Sequence, residues 1–250
     1  MDDSVAVAAD GLTKHFGDTA AVDDLDLEIP LGQTYGFLGP NGAGKTTTMR
    51  MLTTLTKPTS GEARIMGESV ADRDAVAGHI GYLPEDPPLY PELTGREQLE
   101  YVAALRDVPD DVAAERIDLL VDLVEMGDAI DDRIGTYSKG MKNKTAIVQT
   151  VLHVPDVVFL DEPTAGLDPR AARTVRELID EMGDEQTTIF LSTHVLPVAE
   201  QVADVVGVLD QGRLVAEGPP AKLKYRAEEG ERSLEQVFME VTTERTGESA

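Results

Sequence analysis

A chain of 250 residues makes one large domain or two small ones, with enough length to bury a sizeable core. Its 22 Lys plus Arg against 47 Asp plus Glu give a net charge of −25, which speaks against nucleic acid or an anionic membrane surface as a direct partner, while 41% hydrophobic residues exclude a disordered acidic chain. Cysteine is absent, so there is no disulfide framework or thiolate metal site, and the four histidines (His15, His79, His153, His194) lack metal-ligand spacing.

In chain order, Leu25-Asp26-Leu27-Glu28-Ile29 alternates apolar and acidic residues and predicts a half-buried strand. Tyr35 to Leu38 is a short apolar run ending in a glycine-rich loop, and Thr46 to Leu55 reads as a helix. Ile80 to Leu83, Val157 to Leu160, Thr188 to Leu191 and Val205 to Leu209 read as buried strands, and Leu209 to Leu214 as a hairpin turn. Pro84 to Pro91 is a stiff linker of turn residues. From Leu93 to about Val151 the periodicity is helical, opening on Thr94-x-x-Glu97, a capping box. The pattern is that of an α/β core with a helical subdomain inserted between its strands. The charged segment from about Lys222 to Ala250 reads as a tail helix with a frayed end. The start, Met1-Asp2-Asp3-Ser4, lacks the features of a signal peptide, and no stretch reaches the about 18 apolar residues of a membrane span, so the expectation is a soluble cytoplasmic protein.

Two segments carry chemistry by themselves. Gly39-Pro40-Asn41-Gly42-Ala43-Gly44-Lys45-Thr46-Thr47 fits the P-loop pattern. Its glycines let backbone N–H groups turn inward onto phosphate oxygens, and the next helix adds its positive end. Lys45 suits the β- and γ-phosphates, the Thr46 hydroxyl suits Mg²⁺, and Thr47 suits the α-phosphate. Val157 to Leu160 then delivers Asp161 and Glu162 at a strand end, where open α/β sheets bind ligands. Asp161 is the candidate for the Mg²⁺ shell and Glu162 for the base that orients and deprotonates the attacking water.

With these motifs the chain resembles the ATP-binding subunit of an ABC transporter over nearly all of its length. Thr13-Lys14-His15-Phe16-Gly17 looks like the aromatic loop, which makes Phe16 an adenine platform. Tyr137-Ser138-Lys139-Gly140-Met141-Lys142 looks like the signature motif, Ala165-Gly166-Leu167-Asp168-Pro169 like the D-loop, and Leu191-Ser192-Thr193-His194 like the switch-histidine loop. The resemblance implies an α/β P-loop NTPase (RecA-like) core with an N-terminal antiparallel β subdomain and an inserted helical subdomain at about 88–151. The ATPase domain would span 1–225, with the tail helix at 226–250. It also implies ATP and Mg²⁺, and two subunits that sandwich ATP head to tail, with Ser138 to Gly140 of one copy completing the site of the other and Asp168 as a further nucleotide-binding residue. Glu162, His194 and Lys45 would carry the hydrolysis.

Two departures stand out. Glu85 occupies the place where the Q-loop has a Gln, gaining charge and losing the amide donor while still able to face Mg²⁺ or the water. Lys139 and Met141 replace the usual Gly and Gln of the signature. Lys139, Lys142 and Lys144 also gather three of the chain's eight lysines in one short stretch, suggesting a local positive field where the partner's ATP docks.

Lacking a membrane span of its own, such a subunit needs a separate integral membrane permease. Tyr82-Leu83-Pro84-Glu85, the signature and Ser233 to Phe238 resemble the exporter branch with ABC-2-type permeases, which implies a peripheral place on the cytoplasmic face of the membrane; the second nucleotide-binding subunit is a second copy, giving a homodimer, or a paralogue. The rival is an ABC ATPase without a permease that acts on ribosomes or DNA, which the negative charge disfavours.

The same charge, with 25 Asp and 22 Glu against eight Lys, suits a halophilic source, where molar salt screens the self-repulsion. The purified chain is expected to lose its far-ultraviolet circular dichroism when dialysed from molar salt into dilute buffer, and indifference to salt would remove this reading.

Overall fold

The structure, a computed structural model, describes residues 5–184, 187–221 and 238–239. Two sheets organise it. A four-stranded antiparallel sheet runs β2-β1-β4-β5, built from β1 (Val5–Phe16), β2 (Thr19–Pro30), β4 (Ser60–Ile65) and β5 (Glu68–Ser69). A six-stranded sheet runs β10-β9-β3-β8-β7-β6, from β3 (Thr34–Leu38), β6 (Ile80–Leu83), β7 (Val157–Asp161), β8 (Thr188–Thr193), β9 (Val205–Asp210) and β10 (Arg213–Gly218). Only its edge strand β10 is antiparallel to its neighbour; β9, β3, β8, β7 and β6 are parallel.

The parallel strands are short apolar runs because both of their faces are covered. Side chains alternate between faces with period 2, so Val157 and Phe159 of β7 join one core and Val158 and Leu160 the other. Phe190 of β8 goes with the first pair, and Ile189 and Leu191 with the second. The first core lies against the antiparallel sheet and α1 (Lys45–Leu52), where Leu12, Leu25 and Met49 are fully buried. Tyr35, Phe37 and Phe159 surround Phe190 there, with ring centroids 5.2–5.6 Å from it.

The second core receives the helical segment, α3 (Gly95–Leu105), α4 (Asp110–Leu123) and α5 (Lys139–Val151), with two short 3₁₀ turns between α4 and α5. This segment enters the chain between β6 and β7 and shares its apolar interior with the sheet, as Leu99, Ile117 and Ile147 are clustered with Leu83, Val158 and Leu160. The Thr94–Glu97 capping box is present: the Glu97 N–H donates to Thr94 Oγ1 and the Thr94 N–H to the Glu97 carboxylate. α6 (Pro169–Asp184) lies on the same side through Val175, Leu178 and Ile179, and α7 (Leu196–Val202) contacts both α6 and β8. α2 (Arg73–Val76) is a single turn ahead of β6.

All the strands expected from the apolar pattern are present, and the turn at Gln211-Gly212 has both residues at positive φ, as the tightest hairpins require. Three features differ from the sequence reading. β1, β4 and β5 are strands that the pattern does not announce, since β1 is interrupted by register shifts around Gly11 that break its alternation. α1 ends at Leu52 rather than Leu55, where Thr53 Oγ1 donates back to the Met49 carbonyl and Thr54 adopts φ 63°. The expected tail helix at 226–250 lies outside the described residues except Phe238 and Met239, of which Phe238 packs near Leu38 and Val206.

One close approach sets the seat of α5. A Cβ at Gly81 of β6 would come 2.4 Å from the Thr150 carbonyl oxygen of α5. Gly81→Ala is therefore expected to lower the unfolding free energy by about 2 kcal/mol, the cost of forcing two packed backbones apart, measured by denaturant titration at fixed salt.

Candidate functional site

The register of the parallel strands gathers the expected residues. Leu38 lies beside Thr193, Ser192 beside Asp161, and Leu160 beside Leu83, so the four strands β3, β8, β7 and β6 end together. In that order, the four ends lead into the P-loop, His194, Glu162 and Glu85. This is the carboxyl edge of the sheet, where α/β folds bind ligands.

The P-loop is held from behind. Its Ala43 N–H donates to the Pro40 carbonyl, and the Ala43 carbonyl accepts from the Gly212 N–H in the β9–β10 turn. Gly39 and Gly44 cannot carry a side chain, since a Cβ would come 2.5 Å from the Leu209 carbonyl and 2.4 Å from that of Ala21. Gly42 faces open space at φ +83°. The result is a bare backbone cradle in front of α1, fitting phosphate oxygens. Asn41 is exposed on its outer side, and Thr46 and Thr47 are half-buried on the first turn of α1.

Lys45 is 6% exposed, and its Nζ donates to the Gly39 carbonyl at 2.7 Å and the Pro40 carbonyl at 3.3 Å. The same ammonium stands 3.5 Å from Glu162 Oε1, and His194 Nδ1 is 2.8 Å from that oxygen. The imidazole proton on Nδ1 therefore points at the carboxylate, which leaves Nε2 for a second partner. Among the described residues no hydrogen bond engages Glu162 Oε2, so that oxygen can receive a proton. Glu162 sits at φ 52°, unusual for a residue with a Cβ, and its N–H is fixed by the Ser192 carbonyl and hydroxyl. Backbone held this way is common at active sites.

Asp161 is 1% exposed. Its Oδ1 accepts from the Ser192 hydroxyl at 2.5 Å, while Oδ2 is buried without a protein partner. A buried carboxylate oxygen of this kind fits a hard cation such as Mg²⁺. Among the described residues no cluster of three or more His, Asp or Glu could hold a metal unaided. Ser192, read from sequence only as part of the switch-histidine loop, is a site residue whose bond to Asp161 nothing local marks, because it comes from β8 lying beside β7. Tyr82 on β6 is another; burial, and then the Asp161 charge, push its phenol up to about 12, so it stays neutral.

The remaining expected residues lie elsewhere. Phe16, at the end of β1, is 57% exposed rather than buried, with Lys14 Nζ 5.2 Å from its ring centre, and so presents an aromatic platform. Ser138 caps α5, its Oγ accepting from the Met141 N–H. Asp168 caps α6, accepting from the N–H groups of Arg170 and Ala171, and these bonds, Ala171's foremost, hold its carboxyl below the usual range. Ser138, Gly140 and Asp168 line one cavity of about 310 Å³. Glu85 and Glu162 line a different one of about 240 Å³. Of the three clustered lysines, Lys139 and Lys142 line the Glu85 cavity and Lys144 the Asp168 cavity, as their positions around the helix dictate.

Comparison with known proteins agrees with this geometry. Residues 22–165 match the family model described as ABC transporter. The chain is 42% identical over 220 residues to a daunorubicin/doxorubicin resistance ATP-binding protein of Streptomyces peucetius, covering 88% of this chain and 67% of that one. It is 40% identical over 225 residues to a bacitracin transport ATP-binding protein of Bacillus licheniformis, covering 89% and 72%. A solved ATP-binding subunit of an ABC transporter superposes with a TM-score of 0.87 at 29% identity, covering 95% of this chain and 99% of that one. A dimeric ATP-binding cassette bound to ADP and Pi shares the fold, with a TM-score of 0.78 at 23% identity over 85% and 98% of the two chains.

Removing the Ser192 hydroxyl leaves the buried Asp161 carboxylate without its donor. Ser192→Ala is expected to cost about 2 kcal/mol of stability in chemical denaturation without Mg²⁺, because an unsatisfied buried acceptor retains its full desolvation penalty.

Proposed function

The chain belongs to the ABC transporter family, whose ATP-binding proteins are ATPases coupled to transport, and from that premise we propose that it hydrolyses ATP between two copies of itself to power export through a separate membrane permease. The observation that carries the hydrolytic reading is Glu162, fixed between Lys45 and His194 at the common end of four strands.

In this reading the P-loop backbone from Gly39 to Gly44 binds the phosphates and Lys45 neutralises the charge that develops on them. Thr46 and Asp161 would hold Mg²⁺, whose positive charge would further stabilise the phosphate oxygens. Glu162 takes the proton of the attacking water on its unengaged oxygen, and His194 keeps the carboxylate oriented through Nδ1. Phe16 offers its exposed face to adenine. Ser138, Gly140 and Asp168 act on the nucleotide of the second copy, a reading supported by their opening on a cavity separate from that of Glu162. ATP then joins the two copies and hydrolysis separates them.

Among the described residues no helix is long and apolar enough to cross a membrane. The export reading is supported by the drug-resistance and bacitracin-transport relatives, and it assigns an ABC-2-type permease as partner, with the chain peripheral on the cytoplasmic face. The helical unit at about 88–151 and the linker from Glu85 to Pro91 would receive that permease.

Glu162→Gln is expected to lower ATP turnover by at least about 10², the usual contribution of a positioned base, while ATP binding persists. Pulled down from native membranes in molar salt with Mg-ATP, this variant should bring a polytopic membrane protein. Recovery of ribosomal or DNA-bound proteins instead would overturn the export reading and leave the ATPase chemistry standing.

A further inference from the structure

We propose that Asn143 is a positioning residue for Glu162: its amide ties α5, the helix that opens on the signature motif, to the backbone immediately after Glu162, so that the place of the base depends on the place of that helix. The inference rests on the ATPase reading above and deepens it.

Glu162 holds a backbone conformation, φ 52°, that a residue with a Cβ disfavours. Such a backbone persists only where its surroundings over-determine it. One side is supplied by β8: the Glu162 N–H donates to the Ser192 carbonyl at 3.1 Å and to its hydroxyl at 3.2 Å. The Ala165 N–H closes on the Glu162 carbonyl at 3.0 Å. The next residue, Pro163, has no N–H, so the carbonyl is its one backbone hydrogen-bonding group. Among the described residues that carbonyl receives a single hydrogen bond, from Asn143 Nδ2 at 3.0 Å. The Glu162–Pro163 step is therefore held by β8 on one side and by α5 on the other.

Among the described residues the Asn143 side chain makes no other hydrogen bond. A carbonyl oxygen can only accept, so the amide turns its nitrogen to Pro163, and its Oδ1 is left buried without a partner. An Asn in a helix interior with half of its amide unsatisfied costs stability on both counts. A leucine of similar size would avoid both costs, and what it would lack is the bond to Pro163. Asn143 also lines one cavity of about 240 Å³ together with Glu162. The other contacts of α5 with this loop lie farther from the base: Lys139 covers the Gly166 backbone, and Gly140 faces the Ala171 methyl. In the ATPase reading Ser138 to Gly140 meet the nucleotide of the second copy, and Ser138 precedes Asn143 by about one and a half turns of the same helix. The tie thus gives that nucleotide a mechanical route to the base of the chain on which it docks.

The test compares three variants at constant salt, with ATP turnover, KM, ADP affinity and thermal unfolding measured on each. Asn143→Leu keeps the size and removes the donor, Asn143→Asp turns an acceptor to the carbonyl, and Asn143→Gln keeps an amide. The first two should lower kcat about tenfold, with KM and ADP affinity within about twofold of the parent, and Asn143→Gln should recover at least about threefold of that loss. Starting from Glu162→Gln, Asn143→Leu should change the residual turnover by less than about twofold, because a residue that acts through the base has nothing left to act on. Amide hydrogen exchange of the nucleotide-free protein is a readout that needs no activity: Asn143→Leu should speed exchange at Thr164 to Leu167 about tenfold and leave the β7 amides unchanged. Asn143→Asp serves for both readouts if Asn143→Leu does not fold. Parental kcat in the Leu and Asp variants, an Asn143→Gln as slow as they are, an undiminished tenfold loss in the Glu162→Gln background, or unchanged exchange at Thr164 to Leu167 would overturn the proposal. Absence of turnover in the parent protein counts against the ATPase reading alone, and the tie is then decided by the exchange measurement.

Discussion

The site depends on one constraint, the in-register parallel pairing of β3, β8, β7 and β6. Parallel neighbours run the same way, so their carboxyl ends meet at one edge and present four loops to one volume. A single hydrogen-bonded step, Asp161 beside Ser192, fixes both acids: the Ser192 hydroxyl holds the Asp161 side chain, and its carbonyl holds the Glu162 backbone. Shifting β7 by one residue would exchange its two faces, sending Phe159 to the wrong core and removing both bonds. Packing and chemistry are therefore set by the same register.

The burial of charge at this edge is a consequence of that register. Lys45 and Glu162 are almost covered, and an isolated buried charge is costly, so each is found with a partner. The loop carbonyls of Gly39 and Pro40 satisfy further ammonium protons. Asp161 keeps one oxygen without a protein partner, which is the kind of deficit a cation removes. The strained backbone of Glu162 has the same origin: the surrounding strands determine its conformation so fully that the φ penalty is tolerated.

A second theme is the way acidic composition is managed locally. The chain carries a large negative charge, yet basic side chains are concentrated where two elements must approach an acid-lined site. Lys139 covers the loop after Glu162, and Lys142 faces the loop after β6. The helical segment is not an independent module in this respect. It shares the apolar core of the sheet, and Lys139, Lys142 and Asn143 of α5 line a cavity together with Glu162.

The sequence by itself determined the local patterns: the P-loop, the Asp161-Glu162 pair, the capping box at Thr94 and the buried strands can each be read from adjacent residues. It also determined the family, because several such patterns occur in one order. It did not determine β1, whose alternation is broken by register shifts, nor Ser192, whose hydroxyl matters only because another strand lies beside it. Clustering in sequence likewise did not show which cavity each lysine lines, since helical rotation sends Lys144 to a different one from Lys142. Tertiary structure decided which of these groups face one another, because contacts between strands and across helices are set by pairing register and packing, neither of which is written in any single stretch of chain.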